Sequence, residues 1–241
     1  MFGAGGNDEL KGLDGNDVIY GDGEADIIDS GRGDDHEYGG SGDDWHLGSE
    51  GSDSIDGGTG IDAVDYTLSR QAVDVDLNSG GLGGDAQGDV YVGGRIENVW
   101  GSIHNDKLVG TKTNNVLVGG WGQDTIDGGE GEDVIIGGRQ SDHLSGGRGN
   151  DRFLFNEGDS GGANPLDYDR VTDFELWGED DVMIFDVLDP NKASFAVQNV
   201  PHVSSWLLVV RDHDGTEEYD AYKVWVNAPD YVFDSGDIQF I

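Results

Sequence analysis

The sequence predicts an all-β chain: a right-handed parallel β-roll followed by a β-rich C-terminal cap. Three observations carry this expectation. Residues 119–154 read GGWGQDTID GGEGEDVII GGRQSDHLS GGRGNDRFL, four consecutive copies of a nine-residue unit Gly-Gly-x-Gly-x-Asp-x-U-x, where U is large and apolar. The same register runs unbroken through seven units over residues 3–65 and resumes at Gly101. Each unit ends in x-U-x, the alternation of a short half-buried strand, and begins with glycines suited to a tight turn.

Each position of the unit has a physical reason. Gly at positions one, two and four tolerates φ > 0 and close backbone approach. The U side chain points into a shared core while its two neighbours point outward. Turn plus strand reverses the chain after nine residues, so two units close one flattened rung of 18 residues. Rungs stack as parallel strands about 4.8 Å apart. Equivalent positions recur every second unit, which places sixth-position Asp8, Asp26, Asp44 and Asp62 along one edge and Asp17, Asp35 and Asp53 along the other.

The first block, residues 3–65, has at its eighth positions Leu10, Ile19, Ile28, Glu37, His46, Ile55 and Val64, so Glu37 and His46 break the apolar rule. Residues 66–100 lose the repeat. There Val73, Val75 and Leu77 alternate with Asp74 and Asp76, a Gly-rich turn follows, and strands are expected near 90–92 and 96–99. The 35 residues are close to two rungs, so the roll is expected to continue through them with longer loops. The second block, residues 101–154, has sixth positions Asp106, Asn115, Asp124, Asp133, Asp142 and Asp151, and apolar eighth positions throughout. The expected division is a roll over 1–155 and a cap over 156–241. In the cap, strands at 206–211 and 219–226 flank the turn Asp212-His213-Asp214-Gly215, a hairpin signature.

Composition narrows the partners. The 50 Asp+Glu against 13 Lys+Arg give a net charge of −37, which excludes nucleic acid and anionic membrane as unaided partners. There is no Cys, hence no disulfide and no thiolate ligand. There is no run of 18 apolar residues, so no membrane-spanning helix is expected. The start, MFGAGGNDEL, lacks the basic and apolar regions of a signal peptide and lies inside a repeat, so a longer parent with an upstream domain is expected. Each edge would be a ladder of like charges about 5 Å apart without a counter-ion. Regular hard oxygen ligands favour Ca²⁺ over zinc or copper.

The nonapeptides, from GAGGNDELK to GGRGNDRFL, resemble the RTX (repeats-in-toxin, hemolysin-type) calcium-binding modules, with which this repeat and its ion are associated. The interrupting segment resembles one found in RTX modules of secreted mannuronan epimerases. Residues 169–186 resemble the segment that follows the repeats in many RTX proteins, and the 206–226 hairpin resembles the closing hairpin of serralysin-type RTX C-termini. The end, GDIQFI, resembles the tail of type I secretion substrates. The resemblance implies that each ion takes the second- and fourth-position carbonyls and Asp of one turn, with the first- and third-position carbonyls and Asp of the turn stacked on it. On these positions the sets are Gly120, Gly122 and Asp124 with Gly137, Arg139 and Asp142, and Gly129, Gly131 and Asp133 with Gly146, Arg148 and Asp151. In the first block they are Gly31, Gly33 and Asp35 with Gly48, Glu50 and Asp53, and Gly40, Gly42 and Asp44 with Gly57, Thr59 and Asp62. Asp8, Asp17, Asp26, Asp106 and Asn115 complete the ladders, for roughly nine ions of six oxygens each. The implied function is a calcium-binding structural module of a secreted, extracellular bacterial protein. It would stay unfolded at low cytosolic calcium and fold after type I export, without being an enzyme itself.

Sharper readings compete with plainer ones. A buried Glu37/His46 pair suits an acid/base or metal site, with His36 and Asp44 nearby. The plainer reading is a polar defect covered by Tyr38, Trp45 or Leu47. Neither His-Glu-x-x-His nor Gly-x-Ser-x-Gly occurs. Trp45, Trp100, Trp121 and Trp177 would bind sugars if exposed in a row, which makes extracellular polysaccharide an alternative partner beside an upstream catalytic or adhesive domain. Asp212 and Asp214 are read as a hairpin turn rather than a further ion site.

Overall fold

The computed structural model describes residues 1–156, 169–174 and 182–185. It also gives the backbone of the strands Ser194–Asn199, Trp206–Asp212, Tyr219–Val226 and Ile238–Phe240. The expected all-β parallel roll is the fold observed. Among the described residues the only helical segments are the 3₁₀ turns Gly84–Ala86 and Val92–Gly94, and no helix is long and apolar enough to cross a membrane.

Every unit delivers its x-U-x strand to one of two facing sheets. One face is a continuous ten-stranded sheet. Glu9–Lys11, Ile27–Asp29, Trp45–Leu47 and Ala63–Asp65 succeed one another in parallel at 18-residue steps. Asn98–Trp100 then pairs with Ala63–Asp65 on one side and Val116–Trp121 on the other. The series continues through Val134–Arg139, Arg152–Phe155 and Val182–Phe185 to Ile238–Phe240. The tail residues 238–240 therefore close this long face.

The opposite face is split into sheets of five and nine strands. The interruption causes the split. Val90–Tyr91 pairs with Ser54–Thr59 and ends the first sheet, whereas the earlier segment Asp74–Asp76 pairs with Lys107–Val109 and opens the second. Gly80–Gly83 folds back antiparallel on Asp74–Asp76. The step of 35 residues from Ala63 to Asn98 thus advances the long face by a single strand, not by the two rungs its length suggests. The surplus chain is used in the hairpin and the two 3₁₀ turns on the other face. Beyond the second block, Trp206–Asp212 and Tyr219–Val226 form the expected antiparallel hairpin, with Ser194–Asn199 added outside. Residues 213–215 of its turn and Trp177 lie outside the described residues.

Eighth-position side chains form the core. Ile19, Ile28, Ile55, Val64, Leu108, Leu117, Ile126, Ile135, Leu144 and Phe153 are essentially inaccessible. Glu37 and His46 occupy two such positions on opposite faces, in register with Ile19 and Ile55 and with Ile28 and Val64 respectively. They separate a small apolar cluster, Leu10, Ile19 and Ile28, from the main core that runs from Ile55 to Met183.

Candidate metal centre at the turn edges

The sixth-position carboxylates form two hydrogen-bonded ladders, one on each edge. On the first edge, the Asp8, Asp26 and Asp44 amides donate to Oδ1 of Asp26, Asp44 and Asp62 at 2.8, 2.9 and 2.8 Å. Opposite, the Asp17 and Asp35 amides donate to Asp35 and Asp53 Oδ1 at 2.7 and 2.9 Å. In the second block Asp106 and Asp124 donate to Asp124 and Asp142, and Asn115 and Asp133 to Asp133 and Asp151. Each rung therefore fixes one carboxylate oxygen of the next and leaves the other to be satisfied.

That second oxygen is the chemically informative atom. Oδ2 of Asp8, Asp26, Asp35, Asp44, Asp124 and Asp133 is buried with no hydrogen-bond partner. Such an oxygen costs a desolvation penalty unless a proton or cation meets it. It points to where the first-position glycine has no side chain. A Cβ on Gly21, Gly119 or Gly128 would collide with Oδ2 of Asp26, Asp124 or Asp133, and with the carbonyl oxygen of Gly39, Gly137 or Gly146 in the stacked turn. Carboxylate and stacked carbonyl thus converge on one small gap between turns. The third-position carbonyls link the same stacked turns: the amides of Gly33, Gly42, Gly122 and Gly131 donate to the carbonyls of Glu50, Thr59, Arg139 and Arg148. Among the described residues no three acidic or His side chains converge on a point. The gaps instead combine two carboxylates with backbone oxygens, the hard and flexible donor set that suits Ca²⁺. The residues present fit that ion.

Burial sets the electrostatics. Desolvation is the first cause pushing Asp124 up to about 8 and Asp133 to about 7, with neighbouring carboxylates adding to it. Asp53 and Asp62 rise to about 6 for the same leading reason. Asp26, Asp35, Asp44 and Asp106 are also raised, again chiefly by burial. A divalent cation in the gap would oppose both the desolvation and the mutual repulsion.

Three ladder members escape the nonapeptide register. The Asp53 amide donates to Asp89 Oδ1 at 2.9 Å, the Asp62 amide to Glu97 Oε2 at 2.8 Å, and the Asp142 amide to Asp169 Oδ1 at 3.0 Å. Each stands two residues before an inward apolar residue (Tyr91, Val99 and Val171), which is the local signal that could have found them. A second ladder at position five also runs in the opposite sense. The Asp34, Ser52, Ile61, Gln123 and Glu132 amides donate to side-chain oxygens of Asn16, Asp34, Asp43, Asn105 and Asn114 in the rung before. The frequent Asn and Asp at that position is its sequence trace.

The Glu37/His46 pair is buried and bonded, His46 Nδ1 to Glu37 Oε2 at 2.7 Å. Ser30 Oγ donates to Glu37 Oε1 at 2.6 Å, not to the imidazole, so no serine–histidine relay exists there. His36 is exposed and takes no part. Tyr38, Trp45 and Leu47 do not cover the pair. Their positions flank the inward one, so Tyr38 stacks on Tyr20 at 4.7 Å and Trp45 meets Trp100 at 4.3 Å on the outer surfaces. Trp45, Trp100 and Trp121 form no exposed row. Trp121 is exposed on the turn edge, with the Arg139 guanidinium 4.6 Å over its ring.

The family model for the RTX calcium-binding nonapeptide repeat matches in four copies, at residues 2–37, 38–66, 100–135 and 127–160, together more than half of the chain. A search of curated proteins finds no match. Among solved structures, the chain is similar to the AlgE6R2 subunit of the Azotobacter vinelandii mannuronan C5-epimerase at 22% identity, covering 62% of this chain and 94% of that one, TM-score 0.46. It is similar to the AlgE6R3 subunit of the same enzyme at 26% identity, covering 56% and 77%, TM-score 0.43. For the extracellular lipase LipA from Serratia marcescens the values are 18% identity, 93% of this chain, 40% of that one and TM-score 0.40.

Proposed function

Since the chain belongs to the family of RTX calcium-binding nonapeptide repeats, we propose that it is a structural module whose roll is completed by calcium after export from the cell. The observation that carries this reading is the row of buried, unpartnered Oδ2 atoms at Asp8, Asp26, Asp35, Asp44, Asp124 and Asp133, all but that of Asp35 beside a gap that a first-position glycine keeps open. Calcium bridging stacked turns would use two Asp side chains with the carbonyls of positions one to four. Roughly nine such gaps follow from the repeat spacing. Ions that bind only the folded roll stabilise it by RT ln(1 + [L]/Kd) per site, and extracellular modules bind at about 10⁻⁴–10⁻³ M. The module would thus be a folding switch thrown on passing from cytosol to exterior. It does no chemistry itself and would stabilise an upstream catalytic or adhesive domain, with 1–155 as roll and 156–241 as cap. Type I secretion is the matching route. Circular dichroism checks the switch: the chain is expected to be unstructured in EGTA and β-rich at millimolar Ca²⁺. A β-rich spectrum in EGTA equal to that in Ca²⁺ would sink the proposal.

One observation favours a second role, the binding of extracellular polysaccharide. Trp121, 53% exposed, presents an aromatic surface beside Arg139. It is the weaker reading for anionic polymers, which a net charge of −37 repels.

A further inference from the structure

The turns are of two kinds, and the backbone separates them. In ten units the second position is left-handed, with glycine φ from 94° at Gly31 to 111° at Gly40. This holds even where the residue is not glycine: Ala4, Leu13 and Asp22 have φ of 81°, 77° and 75°. Left-handed geometry costs a non-glycine residue roughly 1–2 kcal/mol, so the turn itself demands it. The fourth position follows, again including the non-glycines Glu24 (φ 69°) and Gln140 (φ 87°). Three turns depart at both positions: 48–53, 101–106 and 110–115, with Ser49, Ser102 and Thr111 second and Gly51, His104 and Thr113 fourth.

The same three turns satisfy their sixth-position side chain from within. Ser49 Oγ donates to Asp53 Oδ2 at 3.1 Å. Ser102 uses its amide on Asp106 Oδ2 and its hydroxyl on Oδ1, the latter at 2.9 Å. The Thr111 amide and hydroxyl both donate to Asn115 Oδ1, at 2.7 and 3.1 Å. The Asn115 amide nitrogen completes that set by donating to the Glu97 carbonyl at 2.7 Å. These turns flank the interruption, where the charge ladder also thins. Val73 stands in the rung below Asp106, its amide on Asp106 Oδ1, and neutral Asn115 separates Glu97 from Asp133. The gap beyond Asp53 is closed by protein too: Tyr66 OH donates to Asp89 Oδ2 at 2.6 Å, and its ring fills the space beside Gly48.

We infer that turns 48–53, 101–106 and 110–115 do not hold calcium above them, the hydroxyls of Ser49, Ser102 and Thr111, with the amides of Ser102 and Thr111, doing there what the ion does elsewhere. Calcium is then confined to two blocks on either side of a centre joined by protein hydrogen bonds alone. This inference rests on the calcium reading above and sharpens it. The Asp106/Asp124 and Asn115/Asp133 gaps drop out, and roughly nine candidate ions become about seven.

Native mass spectrometry of the calcium-saturated full chain tests it through paired variants. Asp124→Asn, whose Oδ2 has no protein partner, is expected to lose at least one ion, whereas Asp106→Asn loses none. Ser102→Gly combined with His104→Gly restores the left-handed turn and is expected to gain one ion. This variant moves toward the repeat pattern, so the inference stays testable if Asp124→Asn fails to fold. Equal ion losses in Asp106→Asn and Asp124→Asn, or no gain in the glycine variant, would overturn the inference while leaving the calcium module standing. A wild-type chain that binds no calcium would overturn both.

Discussion

At the scale of single residues, Glu37 and His46 show how a repeat tolerates a break in its own rule. Two consecutive inward positions turn polar together, so each supplies the other's partner across the core, and Ser30 takes the remaining Glu37 oxygen. His46 Nε2 is buried without a partner even in the pair, and losing either member would leave a further buried group unsatisfied. Glu37→Ala in the calcium-saturated protein is expected to lower stability by about 3–5 kcal/mol, the usual result of stripping one partner from a buried pair. Glu37→Ile with His46→Val restores the apolar pattern of the neighbouring rungs and is expected to lose much less than the two single changes combined. Chemical denaturation of the single and double variants measures this. Additive losses would show that the two side chains do not act as a pair.

At the scale of elements, the edge ladders make stability depend on pH in a sense opposite to that of most carboxylates. Without calcium, the folded-state values of about 6 for Asp53 and Asp62, about 7 for Asp133 and about 8 for Asp124 lie above an ordinary 3.8. The folded roll therefore binds more protons than the unfolded chain between about pH 4 and pH 8. Their contribution is fully present below the unfolded value and is lost as pH rises through the folded values. In EGTA the roll is expected to be more stable at pH 5 than at pH 8. Calcium displaces those protons, so its stabilising effect should grow with pH. The β-rich fraction read by circular dichroism at the two pH values in EGTA, and the Ca²⁺ concentration needed to fold the chain at each, check both signs. A folded fraction in EGTA that rises from pH 5 to pH 8 would contradict the ladder electrostatics.

At the scale of the whole molecule, one continuous sheet spans the chain from Glu9 to Phe240. Its ten strands at about 4.8 Å spacing give a roll about 43 Å long. Nothing covalent ties it, since the chain has no Cys, and a net charge of −37 opposes compaction. In EGTA the radius of gyration should approach the unfolded value of about 54 Å for this length, falling toward a compact size in millimolar Ca²⁺. Screening by 0.5 M NaCl should shrink the EGTA state only partly, because salt weakens repulsion without filling the gaps beside Oδ2. Small-angle scattering separates the outcomes. Full compaction by NaCl alone would mean that repulsion, not missing ligands, keeps the chain open.

The nine-residue period by itself determined the fold class, the assignment of each Asp to an edge, the inward positions and the two places where polarity enters the core. All of these are local consequences of turn plus strand, repeated. Only the tertiary structure decided the path through residues 66–100, where Val90–Tyr91 and Asp74–Asp76 take rungs in inverted order and Asp89 and Glu97 join the ladders. Strand pairing there depends on contacts between distant segments, which no local spacing encodes. The distinction between open and self-closed turns also needed coordinates. Ser49, Ser102 and Thr111 look like ordinary substitutions for glycine until their φ values and hydroxyl partners are seen together.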